Sequence, residues 1–302
     1  MAEWIDLIDP TPEELRAQLP EHVQEAALAL LLKPAQHADE PRPTLQAHGS
    51  YVFGVFLVAV AVREENRVFY EEVDVVLTHD RLVTVSKTPP GEKPFDPRPA
   101  KDACRPNDTT GMMFYRLVDD IAERYLDLID DLDEEIDELE DVVETSRPQQ
   151  IRARISQLRH DLLHIRRTLA PTRDAVRRVV DNVVEVTDGE EVFPHDVEIA
   201  FNSALDKLLR AFDGLELSRD LIASVRDYLQ SKIANDQNQV MKTLTVIASL
   251  LLLPTFIVGL YGQNFQHHFP ELHWQFGYLF SWALIVVTTV MQLTFFRWKK
   301  WI

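Results

Sequence analysis

Two stretches near the C-terminal end carry no charge at all: neither Thr243 to Pro270 nor Leu272 to Phe296 contains an Asp, Glu, Lys or Arg. A helix of about 20 mostly apolar residues crosses a hydrocarbon core of roughly 30 Å. Segments 240–260 and 276–296 each meet that length, with the short loop 261–275 between them, so the sequence predicts two transmembrane helices. The alternative, two buried core helices in a soluble protein, asks for uncharged core helices of unusual length. Two spans cannot enclose a polar path, so conduction by such a chain requires several copies.

Charge is distributed unevenly around this feature. Of 302 residues with net charge −18, residues 1–239 hold 48 of the 49 acidic and 27 of the 31 basic ones. A surface this acidic repels nucleic acid and anionic lipid and attracts cations, so no nucleic-acid partner is expected. Cys104 is the single cysteine and cannot form an internal disulfide, which fits a reducing cytosol. No apolar segment lies near the N-terminus, so no signal peptide is expected. Arg297, Lys299 and Lys300 flank the second span, Lys232 and Lys242 stand at the entrance of the first, and the loop 261–275 has no Lys or Arg. The positive-inside rule then places both termini in the cytoplasm and the loop outside.

Residues 1–110 read as a cytosolic α/β domain. Trp4-Ile5-Asp6-Leu7-Ile8 is a short apolar stretch followed by two helices up to residue 33, the first opened by Thr11-Pro12-Glu13-Glu14, with a cap, a proline at the first position and acids in the first turn. A connector, 34–43, contains three prolines. Strands are predicted over Tyr51–Val62, Val68–Leu77 and Leu82–Ser86, with turns at Asn66 and at His79-Asp80. The stretch 88–110, with six prolines, reads as a loop.

Residues 111–239 read as a helical hairpin followed by a stalk. Ile121, Tyr125, Leu128, Leu132, Ile136, Leu139 and Val143 recur at intervals of three and four, and Ile151, Ile155, Leu158, Leu162, Ile165 and Leu169 restart the seam after Arg147-Pro148. The first helix is acidic, with 14 acids and one base between Asp119 and Glu144, and the second is rich in arginine. An antiparallel pair with ion pairs across it is expected. Acids left unmatched could hold divalent cations, while His160 and His164 at i and i+4 lack a visible third ligand. From about His195 no proline occurs until Pro254, which predicts one helix of about 65 residues running into the first span. Such a helix must pack against the hairpin or against copies of itself.

On that helix Asn238, Met241, Thr245, Ser249, Leu252 and Thr255 fall in a stripe spaced three or four apart, with a mostly apolar opposite face. Small hydroxyl residues also occur at ordinary helix contacts in membranes. Beyond the stripe, Tyr261-Gly262-Gln263-Asn264-Phe265, then Phe269-Pro270-Glu271-Leu272 and Trp274, and the ending Lys299-Lys300-Trp301-Ile302 resemble the C-terminal end of the CorA family of divalent-cation channels. That family carries Gly-Met-Asn after its first membrane helix, a Met-Pro-Glu-Leu loop and a basic terminus. The stretch Glu71–Leu77 with Leu82–Val85 also looks like the family's N-terminal domain.

The resemblance implies a homopentameric funnel of α/β domains, long helical stalks and a membrane domain, 240–302, that encloses the pore. It implies a selectivity filter of Gly262, Gln263 and Asn264, in which Gly262 permits the turn presenting Asn264 and a ring of Asn264 side chains holds a hydrated divalent cation. Leu260 would line the outer pore, and Met241, Leu244 and Leu252 would form hydrophobic constrictions. Asn238 and Asp227 would sit further in, and Glu271 would concentrate cations outside. Gln263 stands where the family has methionine, although relatives including ZntB-like zinc transporters also vary that residue. Ser203, with Asp206 nearby, stands where many family members carry an acid in a regulatory site between subunits. His267, His268 and His273 in the loop are softer ligands that suit zinc, cobalt or nickel.

The expectation is therefore a transporter of Mg2+, with Co2+ or Ni2+ as further substrates, in the bacterial inner membrane. Zn2+ transport coupled to protons is the alternative within the same fold, and a non-conducting membrane sensor or scaffold the alternative outside it. No cofactor is implied beyond the transported ion. No phosphate-binding glycine loop, nucleophile motif or His-Glu-x-x-His helix is present, so no enzyme activity is expected.

Overall fold

A computed structural model describes the chain except for residues 1, 21, 36–39, 63–66, 185, 187–190 and 264–273. The described residues form two compact units, Met1–Arg226 and Asp227–Ile302.

In the first unit a five-stranded sheet has the order β1-β5-β4-β3-β2. Its strands are β1 (Glu3–Ile8), β2 (Thr44–Ala47), β3 (Val52–Val62), β4 (Arg67–Leu77) and β5 (Arg81–Lys87). Neighbours pair antiparallel except β1 and β5, which run parallel with Trp4 opposite Leu82. The apolar run of β3 has no polar alternation because helices cover both of its faces. Towards one face pack α1 (Pro12–Gln18) and α2 (Glu25–Leu31), with Leu15, Ala27 and Leu31 against Phe53, Val55, Val76 and Val85. Helix α1 starts where the sequence predicts: the Thr11 hydroxyl accepts from the Glu14 N–H, and the Thr11 N–H donates to Glu14 Oε2 at 2.9 Å. The proline-rich 88–110 stretch is not wholly loop, since α3 (Arg98–Asp102) forms in it with Pro99 in its first turn, where a missing N–H costs nothing.

Against the other face lie α4 (Thr110–Asp141), α5 (Pro148–Val180) and the start of α6 (His195–Tyr261). All thirteen seam residues predicted on α4 and α5 and after them, from Ile121 to Val143 and from Ile151 to Leu169, are buried. Tyr125 marks the junction with the sheet: its hydroxyl lies 2.6 Å from the Leu57 carbonyl oxygen of β3 and 3.0 Å from Thr168 Oγ1 of α5. Burial pushes the Tyr125 phenol up, so it stays a donor. Phe114 of α4 packs on Phe56, Phe193 and Phe201 with ring centroids 5.6–6.2 Å apart. Gly111 is required there, because a Cβ at that position would come within 2.1 Å of the Val192 carbonyl oxygen. Pairs at 125/168 and 135/154 make α4 and α5 antiparallel, whereas pairs at 123/207 and 133/218 make α4 and α6 parallel.

The expected ion pairing is only partly across the hairpin. Glu135 of α4 does meet Arg154 of α5, but Asp119 and Glu123 are held by Lys207 of α6 at 2.9 and 2.8 Å, and Asp133 accepts from Ser218 at 2.6 Å. Under α2 the sheet buries a charged cluster that composition does not suggest. Lys87 Nζ of β5 lies 2.5 Å from Glu72 Oε1 and 2.8 Å from Asp74 Oδ2 of β4, and donates to the Leu30 carbonyl of α2 at 2.8 Å. Burial, added to the nearby Glu72 and offset in part by Lys87, pushes Asp74 up to about 7. Burial alone would lower Lys87, but the two carboxylates outweigh it and raise it.

Candidate ion path

The second unit consists of the C-terminal part of α6, from Asp227, and α7 (Gly277–Trp298), the two helices apolar and long enough to cross a membrane. Few of their side chains are covered. In the apolar stretch of α6 from Val240 onward Val246 and Ile257 are buried, three turns apart, and Ser249, Leu250, Leu253 and Pro254 are half-buried between them. This face meets α7: Gln292 Nε2 of α7 donates to the Ser249 carbonyl oxygen at 3.1 Å.

The predicted stripe lies beside that face. Asn238, Met241, Thr245, Leu252 and Thr255 are exposed, Leu252 to 71%, and Ser249 is half-buried at the edge of the α7 contact. Thr245 and Leu252 each precede a covered residue, Val246 and Leu253, and so point about 100° round the helix from α7. Leu244 is exposed two residues before Val246, on the far side of the helix from α7, and Leu260 is exposed near the helix end. Asp227 is exposed at the start of this unit.

The threonines have a defined polarity. Thr245 donates its hydroxyl hydrogen to the Met241 carbonyl at 2.8 Å, and Thr255 donates to the Leu251 carbonyl at 2.7 Å. What remains outward is oxygen with free lone pairs. A hydrated cation presents water hydrogens, so neutral acceptors of this kind suit its shell without removing it. Helix α6 ends at Tyr261, and the Gly262 N–H closes the last turn on the Val258 carbonyl at 2.9 Å. A Cβ on Gly262 would approach that oxygen to 3.0 Å, a tight contact at the point where the helix ends. Gln263 follows without helical structure; Asn264, Glu271, His267, His268 and His273 lie outside the described residues.

Among the described residues no three His, Cys, Asp or Glu side chains come close enough to hold a metal ion. The His160 and His164 ring centroids lie 4.4 Å apart on α5 with their planes tilted by 56°, and burial followed by the neighbouring His160 lowers His164. Ser203 and Asp206 are both exposed on α6. Cys104 is free and donates to the Ala100 carbonyl at 3.4 Å, with burial raising its thiol. Gln292 is the residue that the sequence reading passed over. A lone amide in an otherwise apolar span was its signal, since polar side chains there face a partner.

A family model described as CorA-like Mg2+ transporter protein matches residues 2–300. A cobalt/magnesium transport protein, CorA, of Thermotoga maritima is 30% identical over 267 residues, which span 86% of this chain and 73% of that one. A zinc transport protein, ZntB, of Photorhabdus laumondii is 25% identical over 195 residues, 64% of this chain and 57% of the relative. The fold matches the complete structure of a CorA magnesium transporter from Methanocaldococcus jannaschii with a TM-score of 0.77 at 20% identity, covering 99% of this chain and 91% of the other.

Proposed function

Because the chain belongs to the CorA-like Mg2+ transporter family, we propose that it carries hydrated Mg2+, and also Co2+ or Ni2+, through a homopentameric pore in the bacterial inner membrane. The observation that carries this reading is the stripe on α6, where outward threonine oxygens alternate with apolar side chains on a span free of charge from Thr243 to Tyr261. Mg2+ gives up its water reluctantly, so a path of neutral acceptors holds the hydrated ion weakly enough to release it. Asn264 extends that chemistry as a ring of amide carbonyls at the outer mouth, with Gly262 allowing the turn. Met241, Leu244 and Leu252 close the path by dewetting, Leu260 lines its outer end, and Asp227 and Asn238 draw ions at the cytosolic side. Glu271, repeated round the loop, raises the cation concentration outside. Both termini are cytoplasmic in this arrangement.

Zn2+ is the second reading, supported by Gln263 in place of methionine and by the zinc-transporting relative. Proteoliposomes loaded with ion-sensitive dyes separate the two. Mg2+ entry down its own gradient, unaffected by an imposed proton gradient, supports the first. Zn2+ entry that rises with the proton gradient, without Mg2+ entry, replaces it with the second, and no entry of any ion leaves a sensor or scaffold.

A further inference from the structure

We infer that Gln292 is a positioning residue of the ion path: its side-chain amide fixes the main chain of the first span at Ser249, shortly before Pro254, and so holds the two spans in register. The inference rests on the transport reading above.

Pro254 lies inside α6 and has no N–H, so the Leu250 carbonyl receives no helical donor, and the proline ring crowds it. The hydrogen-bond ladder is therefore weakest in the turn that contains Ser249 and Leu250. Gln292 Nε2 reaches the Ser249 carbonyl from α7 in that turn, at 3.1 Å. Lipid tails and leucine side chains are equally apolar, so apolar contact alone sets little registry between two spans. A hydrogen bond between side chain and main chain does, because it specifies one pair of turns.

Retaining an amide here is costly. Gln292 Oε1 is buried without a hydrogen-bond partner among the described residues. A leucine would fill the same place without an unfilled acceptor. What glutamine adds is the donor to Ser249, and Ser249 belongs to the same helix turns as Thr245 and Leu252 of the stripe. A shift of α7 against α6 would therefore rotate those side chains relative to the path.

The test uses the full chain in proteoliposomes on a Cys104→Ser background, with spin labels at Val258→Cys and Tyr278→Cys, both exposed positions near the outer ends of the spans. Metal uptake and the distance distribution between labels are measured together for the parent, Gln292→Leu and Gln292→Glu. Gln292→Leu should lower uptake about 3- to 10-fold and broaden the distance distribution. Gln292→Glu should match the parent where its carboxyl is protonated, since the O–H then donates to Ser249, and match Gln292→Leu where it is ionised and has no donor. No Asp, Glu, Lys or Arg lies between Thr243 and Tyr261 or between Tyr278 and Phe296 to imitate that pH profile. Both variants following the parent at every pH, or Gln292→Glu following Gln292→Leu at every pH, would overturn the inference. A parent that carries no ion would end the transport reading instead, and the distance distributions alone would then decide whether Gln292 registers the spans.

Discussion

The two units of this chain treat the same kinds of side chain in opposite ways. In Met1–Arg226 the large apolar residues lie inside: Phe56, Phe114, Tyr125 and Phe201 are all fully covered. In Asp227–Ile302 Leu251, Leu252, Phe256 and Val258 of α6 and Leu279, Val287 and Met291 of α7 stay exposed, and few residues are buried. The first unit solves its hydrophobic problem within one chain, with helices on both faces of a sheet. The second leaves its apolar side chains uncovered within the chain, as a span in a bilayer does. Backbone groups differ correspondingly: strands pair with one another in the sheet of the first unit, whereas the described spans of the second bond within each helix, apart from the Leu250 carbonyl that Pro254 leaves without a helical donor.

The contrast can be broken most forcefully by a pair of truncations. Phe114→Ala removes a ring that touches three others and should cost about 3–5 kcal/mol of stability, read from chemical unfolding of the detergent-solubilised protein. Phe256→Ala, 65% exposed on α6, should stay within about 0.5 kcal/mol in the same assay. Equal losses would mean that the second unit has a core of its own.

A smaller effect concerns the charged cluster under α2. Asp74 is raised in the fold to about 7 from 3.8, so between those values the folded chain holds a proton that the unfolded chain has released. Its contribution to stability is full below the unfolded value and is lost as pH rises through about 7. Asp74→Asn should abolish that slope, which in wild type amounts to roughly 3 kcal/mol between pH 4 and pH 8 for a carboxyl raised to about 7. Lys87, raised by its carboxylates, keeps its contribution throughout that window. Parallel stability curves for wild type and variant would show that Asp74 is not the group that titrates.

The smallest effect is expected at the ion pair between Arg154 and Glu135. Both side chains are partly exposed, and a double-mutant cycle with alanine at each should return no more than about 1 kcal/mol, because the apolar seam holds the hairpin. A coupling several times larger would make charge, not packing, the link between α4 and α5.

Periodicity made the long elements legible. The seam from Ile121 to Leu169 is a repeat that requires no knowledge of partners, and Thr11-Pro12-Glu13-Glu14 specifies a helix start through its own side chains. The spans could be read because an uncharged run of that length has few other uses. Pairings distant in sequence were not readable. Trp4 to Ile8 reads as a short apolar stretch, yet its place beside β5 is fixed by partners such as Thr84, which accepts from Trp4 Nε1 across eighty residues. Lys87, Glu72 and Asp74 look like ordinary solvated charges on strands, and their burial depends on α2 lying over them. Composition divides the chain near residues 110 and 239, but packing of Phe114 and Tyr125 on β3 joins the sheet and the helical hairpin into one unit. On α6 the stripe of the candidate path was visible as spacing. The hydrogen bond from Gln292 to Ser249 was not, because its two ends sit on different helices 43 residues apart.

Dye-reported Mg2+ uptake into proteoliposomes by wild type and by Asn264→Ala, with assembly of both confirmed by their elution in detergent, decides whether Asn264 belongs to the path. Mg2+ should enter down its gradient with wild type, and uptake by the assembled variant should not exceed that of empty liposomes. Uptake by Asn264→Ala equal to wild type would contradict the assignment of the path, and no uptake by either would contradict transport of Mg2+ itself.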